Sequence, residues 1–291
     1  MSLLTLKPIP ASSLPVPNSP DYTHYRDQLV QQALDLVASL TTPTSDSSPL
    51  WHRNKTYHAN KGLATATYSS TSPPPATGDC EGYRWHARTS RHLPGPGAPS
   101  FDDFERGLLQ NHSDNERHYI ESCYQAQRLA VVKDGQLEDT SPFPASRRAF
   151  VFALLTLSLP PRPHPHPHPH PTDPLNPDAA PTPQPAPRRA FLVVSLPATH
   201  DDAREEDERE RAVRARYVSV EHVEEDEEGG VVWTMAVSSD AGGAIPRCIT
   251  ERAMPNKIAQ DVPSFVEWVT RTGTGGSRGE GEGEGEGGGR A

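Results

Sequence analysis

"WTMAVSSDAGGAIPRCITERAMPNKIAQDVPSFVEWV", residues 233–269, decides the fold. It opens with strand alternation, turns at Gly242-Gly243 and continues at helical spacing. Ile245 and Ile249 pair at i,i+4, and Ile258, Val262, Phe265, Val266 and Val269 follow at three- and four-residue steps. Arg252, Lys257, Asp261 and Glu267 fall largely elsewhere on the helix. Pro246 suits a first helical turn. Pro255 and Pro263 each remove a backbone donor. The spacing therefore predicts a bent helix, or two short helices in line. A long apolar face must rest on something, and the strands upstream are the available surface.

Those strands are legible in outline. "ARYVSVEHVEE" places Tyr217, Ser219, Glu221 and Val223 on one face and Val218, Val220 and His222 on the other. "RRAFVFALLTLSLP" (147–160) and "RRAFLVVSLP" (188–197) share their opening and their close, as neighbouring strands of one sheet. Residues 126–132 form a strand before a turn at Asp134-Gly135. Strand-like pieces cover 50–59, 63–70 and 82–93, separated by Pro and Gly clusters. Residues 21–40 form a helix with Tyr25, Leu29, Ala33, Leu36, Val37 and Leu40 on one face, capped by Asp21 or Thr23. Ser100 caps a second helix with Asp103 three residues on, and a third lies near 115–123. The class is α+β, an antiparallel sheet with a long C-terminal helix.

Composition sets the limits. The 291 residues include 32 Pro and 21 Gly, and 34% are hydrophobic, which fits one folded domain with long interruptions. The expected division is a disordered 1–20, a domain over 21–270 with disordered insertions at about 160–187 and 199–212, and a disordered Gly/Glu-rich tail at 271–291. A net charge of -10 argues against nucleic acid as a partner and against a polybasic membrane patch. Cys80, Cys123 and Cys248 make no Cys-x-x-Cys pair and read as reduced thiols of a cytoplasmic protein. No secretory leader is evident at the N-terminus, so the sequons at Asn54 and Asn111 carry no weight.

Chemistry is sparse. In "PRPHPHPHPHP" a polyproline II helix of 3 residues per turn turns His164, His166 and His168 in three directions. Only His164 and His170 share a face, roughly 19 Å apart, so no metal site is expected. Ser238, Ser239 and Asp240 precede a Gly-Gly turn and lack the Gly-x-Ser-x-Gly pattern of a nucleophile elbow. Neither a catalytic residue nor a cofactor site is assigned. "WHARTSRH" sets Trp85, Ala87, Thr89 and Arg91 on one strand face and His86, Arg88, Ser90 and His92 on the other. A face so polar is usually solvated. Turned toward a cavity instead, Arg88 would anchor a polar or anionic group.

With "WHARTSRH" and "FDDFERGLLQNHSDNERHYIESC", the segment 235–269 resembles a START-like domain of unknown function found in fungal proteins. That family is related to the steroidogenic acute regulatory protein-related lipid transfer fold. The resemblance spans about 85–269 and is most specific around 238–255. It implies a helix-grip fold: a curved antiparallel sheet around a long C-terminal helix, with an apolar cavity between. It further implies non-enzymatic binding of a lipid or sterol-like molecule by a monomer, with transient membrane contact. Trp85, Arg88, Ile249, Ile258, Val262 and Phe265 are the candidate cavity-lining residues. The alternatives are an enzyme acting on a hydrophobic substrate in the same cavity, which clustered ionisable groups would favour, and a ligand-free scaffold displaying Pro-rich and acidic arms, which a filled interior would favour.

Overall fold

A computed structural model describes residues 2–16, 19–41, 50–58, 63–74, 77–78, 80–120, 123–132, 135–142, 148–163, 187–201 and 212–273. The chain runs β1 (Ile9–Pro10), α1 (Pro20–Thr41), β2 (Trp51–His58), β3 (Ala64–Ser70), β4 (His86–His92) and α2 (Phe101–Phe104). A π-helical turn (Glu105–Leu109) and α3 (His112–Tyr119) follow. Then come β5 (Cys123–Val132), β6 (Gly135–Pro142), β7 (Arg148–Ser158), β8 (Ala190–Thr199), β9 (Val213–Arg214), β10 (Arg216–Glu225), β11 (Val231–Asp240) and α4 (Arg247–Gly273).

Nine strands lie in the order β2-β3-β4-β11-β10-β8-β7-β6-β5, and every neighbouring pair among them is antiparallel. Two-residue β1 and β9 add parallel pairings to β8 and β7. The last strand, β11, pairs with β4 at the centre of the sheet. The helix that follows β11 is thereby returned over the neighbouring β4 and β3. The two Arg-Arg-Ala-Phe segments are adjacent strands, β7 and β8, in register from Phe152↔Pro197 to Ser158↔Phe191. The ends of the long insertion between them meet at Arg162↔Arg188; His164, His166, His168 and His170 lie outside the described residues.

Each sheet face carries its own core. On one, α1 packs Leu29, Ala33 and Leu36 against Ala87, Val194, Leu196, Val218, Val220 and Ala236. On the other, α2 and α4 pack Phe101, Phe104, Val262, Phe265 and Val269 against Phe191, Val223 and Trp233. Gly107 is needed for the second: a Cβ there would sit 2.5 Å from the Phe265 ring.

Three expectations are corrected. The segment 1–20 is not outside the fold over its described residues, because Leu4 and Leu6 are fully buried in the α1-side core. The Leu3 N–H donates to Gln32 Oε1 at 2.7 Å, and the Gly78 N–H donates to the Leu4 carbonyl. Ser19, not Asp21 or Thr23, caps α1: its Oγ accepts from the Tyr22 N–H at 3.1 Å. Helix α4 is one element through Pro255 and Pro263, not two short helices in line. Each proline removes one backbone bond, and the buried row Ile258, Val262, Phe265 and Val269 holds the helix across that loss. The capping box at Ser100 and Asp103 forms as its sequence predicts.

Candidate functional site

The α4 side of the sheet is built in rows. Thr67, Arg88, Met235, Glu221, Val193 and Thr156 stand opposite one another on six neighbouring strands and share this face. The next row along is Ser69, His86, Val237, Ser219, Ser195 and Leu154. The row on the other side is Thr65, Ser90, Trp233, Val223 and Phe191. The face therefore grades from aromatic, through charged, to small and polar.

Where the small side chains lie, α3 and α4 leave space. A cavity of about 210 Å³ is lined by Ser195, Tyr217, Ser219, Glu221, Met235, Val237 and Ser239 from the sheet and Phe150 from β7. His112, Glu116 and Ile120 close it from the α3 side, and Met254, Lys257, Ile258 and Asp261 from α4. The i,i+4 spacing of His112 and Glu116, and of Lys257 and Asp261, puts each pair on one helix face.

One wall is ionic and dry. Arg88 is 1% exposed, and its guanidinium lies 3.7 Å from the Trp233 ring centroid. Its Nη2 is 3.8 Å from Glu221 Oε2, while Nε and Nη1 make no hydrogen bond. The Trp233 Nε1–H donates to the same Glu221 oxygen at 2.8 Å. His112 Nε2 is 3.3 Å from Glu116 and 3.9 Å from Glu221, and Nδ1 is 2.8 Å from the Leu108 carbonyl. Both ring nitrogens face acceptors, the arrangement of an imidazolium. Burial opposes that charge; the Glu116 carboxylate, then Glu221 and the Leu108 carbonyl, overcome it and raise His112 to about 10. Burial pushes Asp261 up to about 7 against the pull of Arg88. Burial also lowers Arg88, with Glu221 and Asp261 opposing.

The candidate residues scatter. Ile258 lines the cavity. Arg88 stands one residue over in the row, behind Met235 and against Glu221. Val262 and Phe265 belong to the aromatic core beside the cavity. Trp85 packs in the opposite core, against the α1 side. Ile249 is 59% exposed, because the first turns of α4 project beyond the sheet. The polar face of β4 is not solvated: His86, Arg88, Ser90 and His92 are all buried under α4. His112, Glu116 and Asp261 were missed. On a helix their polarity reads as surface, and only the i,i+4 pairing of His112 with Glu116 hinted otherwise. Among the described residues, no group of three or more His, Cys, Asp or Glu is arranged to hold a metal ion. No described helix is long and apolar enough to cross a membrane.

A family model described as "Protein of unknown function (DUF3074)" matches residues 85–269. An uncharacterized protein of Schizosaccharomyces pombe, C577.11, is 23% identical over 275 residues, covering 91% of this chain and 93% of its own. Among solved structures, human StAR-related lipid transfer protein 5 superposes with a TM-score of 0.55 at 9% identity, over 85% of this chain and 99% of that one. Human STARD10 gives a TM-score of 0.49 at 10% identity, over 91% and 84%. The fold is the START-type helix-grip fold.

Proposed function

The chain belongs to the DUF3074 family, and on that premise we propose that it binds a lipid or another amphipathic molecule, without chemistry, in the cavity beneath α4. The observation that carries this reading is the cavity itself. It is walled by Ile120, Phe150, Tyr217, Met235, Val237, Met254 and Ile258, with charged groups gathered on one side. An apolar pocket with few polar groups orients an amphipathic ligand. The structural likeness to a protein named for lipid transfer supports the same reading. The volume of about 210 Å³ is below the roughly 300–1,000 Å³ usual for ligand pockets, so a full-length lipid requires α3 or the first half of α4 to move aside. In this reading the protein works in the cytoplasm as a monomer that touches membranes transiently.

Native mass spectrometry of gently purified full-length protein tests it. The expected result is a mass excess that organic extraction removes and that returns on incubation with one class of lipid. A protein that carries nothing and takes up nothing from a panel of sterols, fatty acids, alcohols and amines overturns it.

A second reading, an enzyme on the same fold, is favoured by one observation. His112, Glu116, Glu221 and Asp261 converge on the cavity, and Asp261 is raised to about 7, where a general acid–base works at neutral pH. A ligand released with an altered mass would establish it. The filled interior that the scaffold reading needs is absent beneath α4.

A further inference from the structure

Carboxyl groups crowd one side of the cavity lining, while the unpartnered Nε and Nη1 of Arg88 lie outside that lining. His112 spends both ring N–H groups, on the Leu108 carbonyl and on Glu116. Glu221 is occupied from the sheet side by Trp233 and Arg88. Two carboxyl groups remain with capacity to accept. Among the described residues, the Glu116 carboxylate meets only the imidazole, and Asp261 makes no side-chain hydrogen bond and no ion pair within 4.0 Å. The other cation on the wall, Lys257, is exposed, one helical turn from Asp261.

We propose that the cavity selects an amphipathic ligand carrying a protonated primary amine, held by Asp261 and Glu116, with its chain among Phe150, Tyr217 and Ile258. This rests on the reading of the cavity as a ligand site. A carboxylic acid would bring a fourth carboxyl beside three, and like charges oppose one another. A hydroxyl donates one hydrogen bond and leaves the charge uncancelled. An ammonium supplies three donors and the opposite charge. Burial sets Asp261 high, Glu116 and Glu221 add to it against Arg88 and Lys257, and a further cation beside it opposes that shift.

The test uses the full chain at pH 7.5 and isothermal titration calorimetry, with decylamine, decanol, decanoate and decyltrimethylammonium below their micellar range. The chain's net charge of -10 will attract any cation weakly and without saturation. Decyltrimethylammonium shares that attraction but has no N–H, so the excess of decylamine over it isolates the hydrogen bonds. Expected is saturable one-to-one binding of decylamine, about tenfold tighter than decanol and decyltrimethylammonium, the usual worth of charged hydrogen bonds. Asp261→Asn is nearly isosteric; it should erase the preference for decylamine over decanol, read as the ratio of the two affinities in the same variant. Decanol binding as tightly as decylamine to the native chain overturns the inference and leaves the lipid-site reading standing. No saturable binding of any of the four overturns both. The native-chain comparison decides even where the variant misfolds.

Discussion

The two faces of the sheet use the same strands to opposite ends. On β10, Val218 and Val220 point to α1, while Tyr217, Ser219 and Glu221 point to the cavity. On β11, Ala236 faces α1, and Met235, Val237 and Ser239 face the cavity. On β4, Ala87 faces α1 and Arg88 lies with the α4-side rows. The α1 face is filled by aliphatic side chains together with Trp51 and Trp85. The α4 face is filled only at its aromatic end, where Phe104, Tyr119, Trp233 and Phe265 meet edge to face or tilted. Its middle holds paired charges and its far end holds space. Burial by itself does not call for apolar residues. A polar group is stable inside when its partners come with it, and the α4 face gathers those partners from four separate elements.

The contrast is broken most forcefully at Glu221. Glu221→Ala takes its ion-pair partner from Arg88 and its acceptor from Trp233, and should cost about 3–5 kcal/mol, the usual penalty for leaving a buried charge unpaired. On the filled face, Leu36→Ala removes apolar volume and no charge, for about 2–5 kcal/mol. Urea unfolding of the two variants ranks them. If Glu221→Ala proves nearly neutral, the charges of the α4 face are wet and the two faces differ less than their residues imply.

The filled face was legible and the charged one was not, for a physical reason. The alternation at 217–223 and the helical period at 25–40 are local patterns, and both appear where the sequence puts them. His112, Glu116 and Asp261 carry no such pattern. A carboxylate on a helix is dry only because something distant covers it. Here α3 reaches Glu221 through His112, and α4 lays Asp261 over the same place. Leu4 and Leu6 escaped for a related reason: two leucines among prolines have no period, and their partners lie on α1 and the sheet. Ile249 misled in the other direction, since its helical period continues past the surface that the helix covers.

A pH series sharpens the contrast, because the two titrating groups act in different windows. Asp261 is raised from 3.8 to about 7, so the folded state holds its proton longer than the unfolded chain. The Asp261 contribution falls as pH climbs from about 4 to about 7, while burial lowers His86 and His92 from 6.5 to about 4, so their contributions rise from about 4 to 6.5 and oppose it. His112 is raised from 6.5 to about 10, so its contribution is complete below pH 6.5 and is lost as pH rises toward 10. In chemical denaturation against pH, Asp261→Asn should make stability rise more steeply through the lower window, leaving His86 and His92 unopposed, and His112→Gln should flatten the upper one. A substitution on the α1 face, such as Leu36→Ala, should lower the whole curve without changing its slopes. A lower window left unchanged by Asp261→Asn, or an upper one left unchanged by His112→Gln, would take that titration away from the substituted group.

The smallest expected effect separates a filled interior from one with room. Ala87 is fully buried in the core that also holds Trp85, Val220 and Ala236. Ala87→Leu should therefore overpack that face and cost about 1–3 kcal/mol. Ile258 is just as buried, yet it lines the cavity rather than either apolar core. Ile258→Trp carries a larger side chain into the space of about 210 Å³ and keeps its surface mostly apolar. The ring nitrogen has Glu116, Asp261 and the cavity serines as possible acceptors within the same lining. Its cost should stay under about 1 kcal/mol, since the ring enters space that no side chain holds. Decanol uptake should vanish in Ile258→Trp and persist in Ala87→Leu, although the second protein is the less stable. A Trp at 258 that destabilises as much as Leu at 87 would mean α4 has no give and the cavity no spare volume. Uptake retained beside a tolerated Trp would place the ligand elsewhere, since a site half filled by an indole cannot bind the chain it was built for.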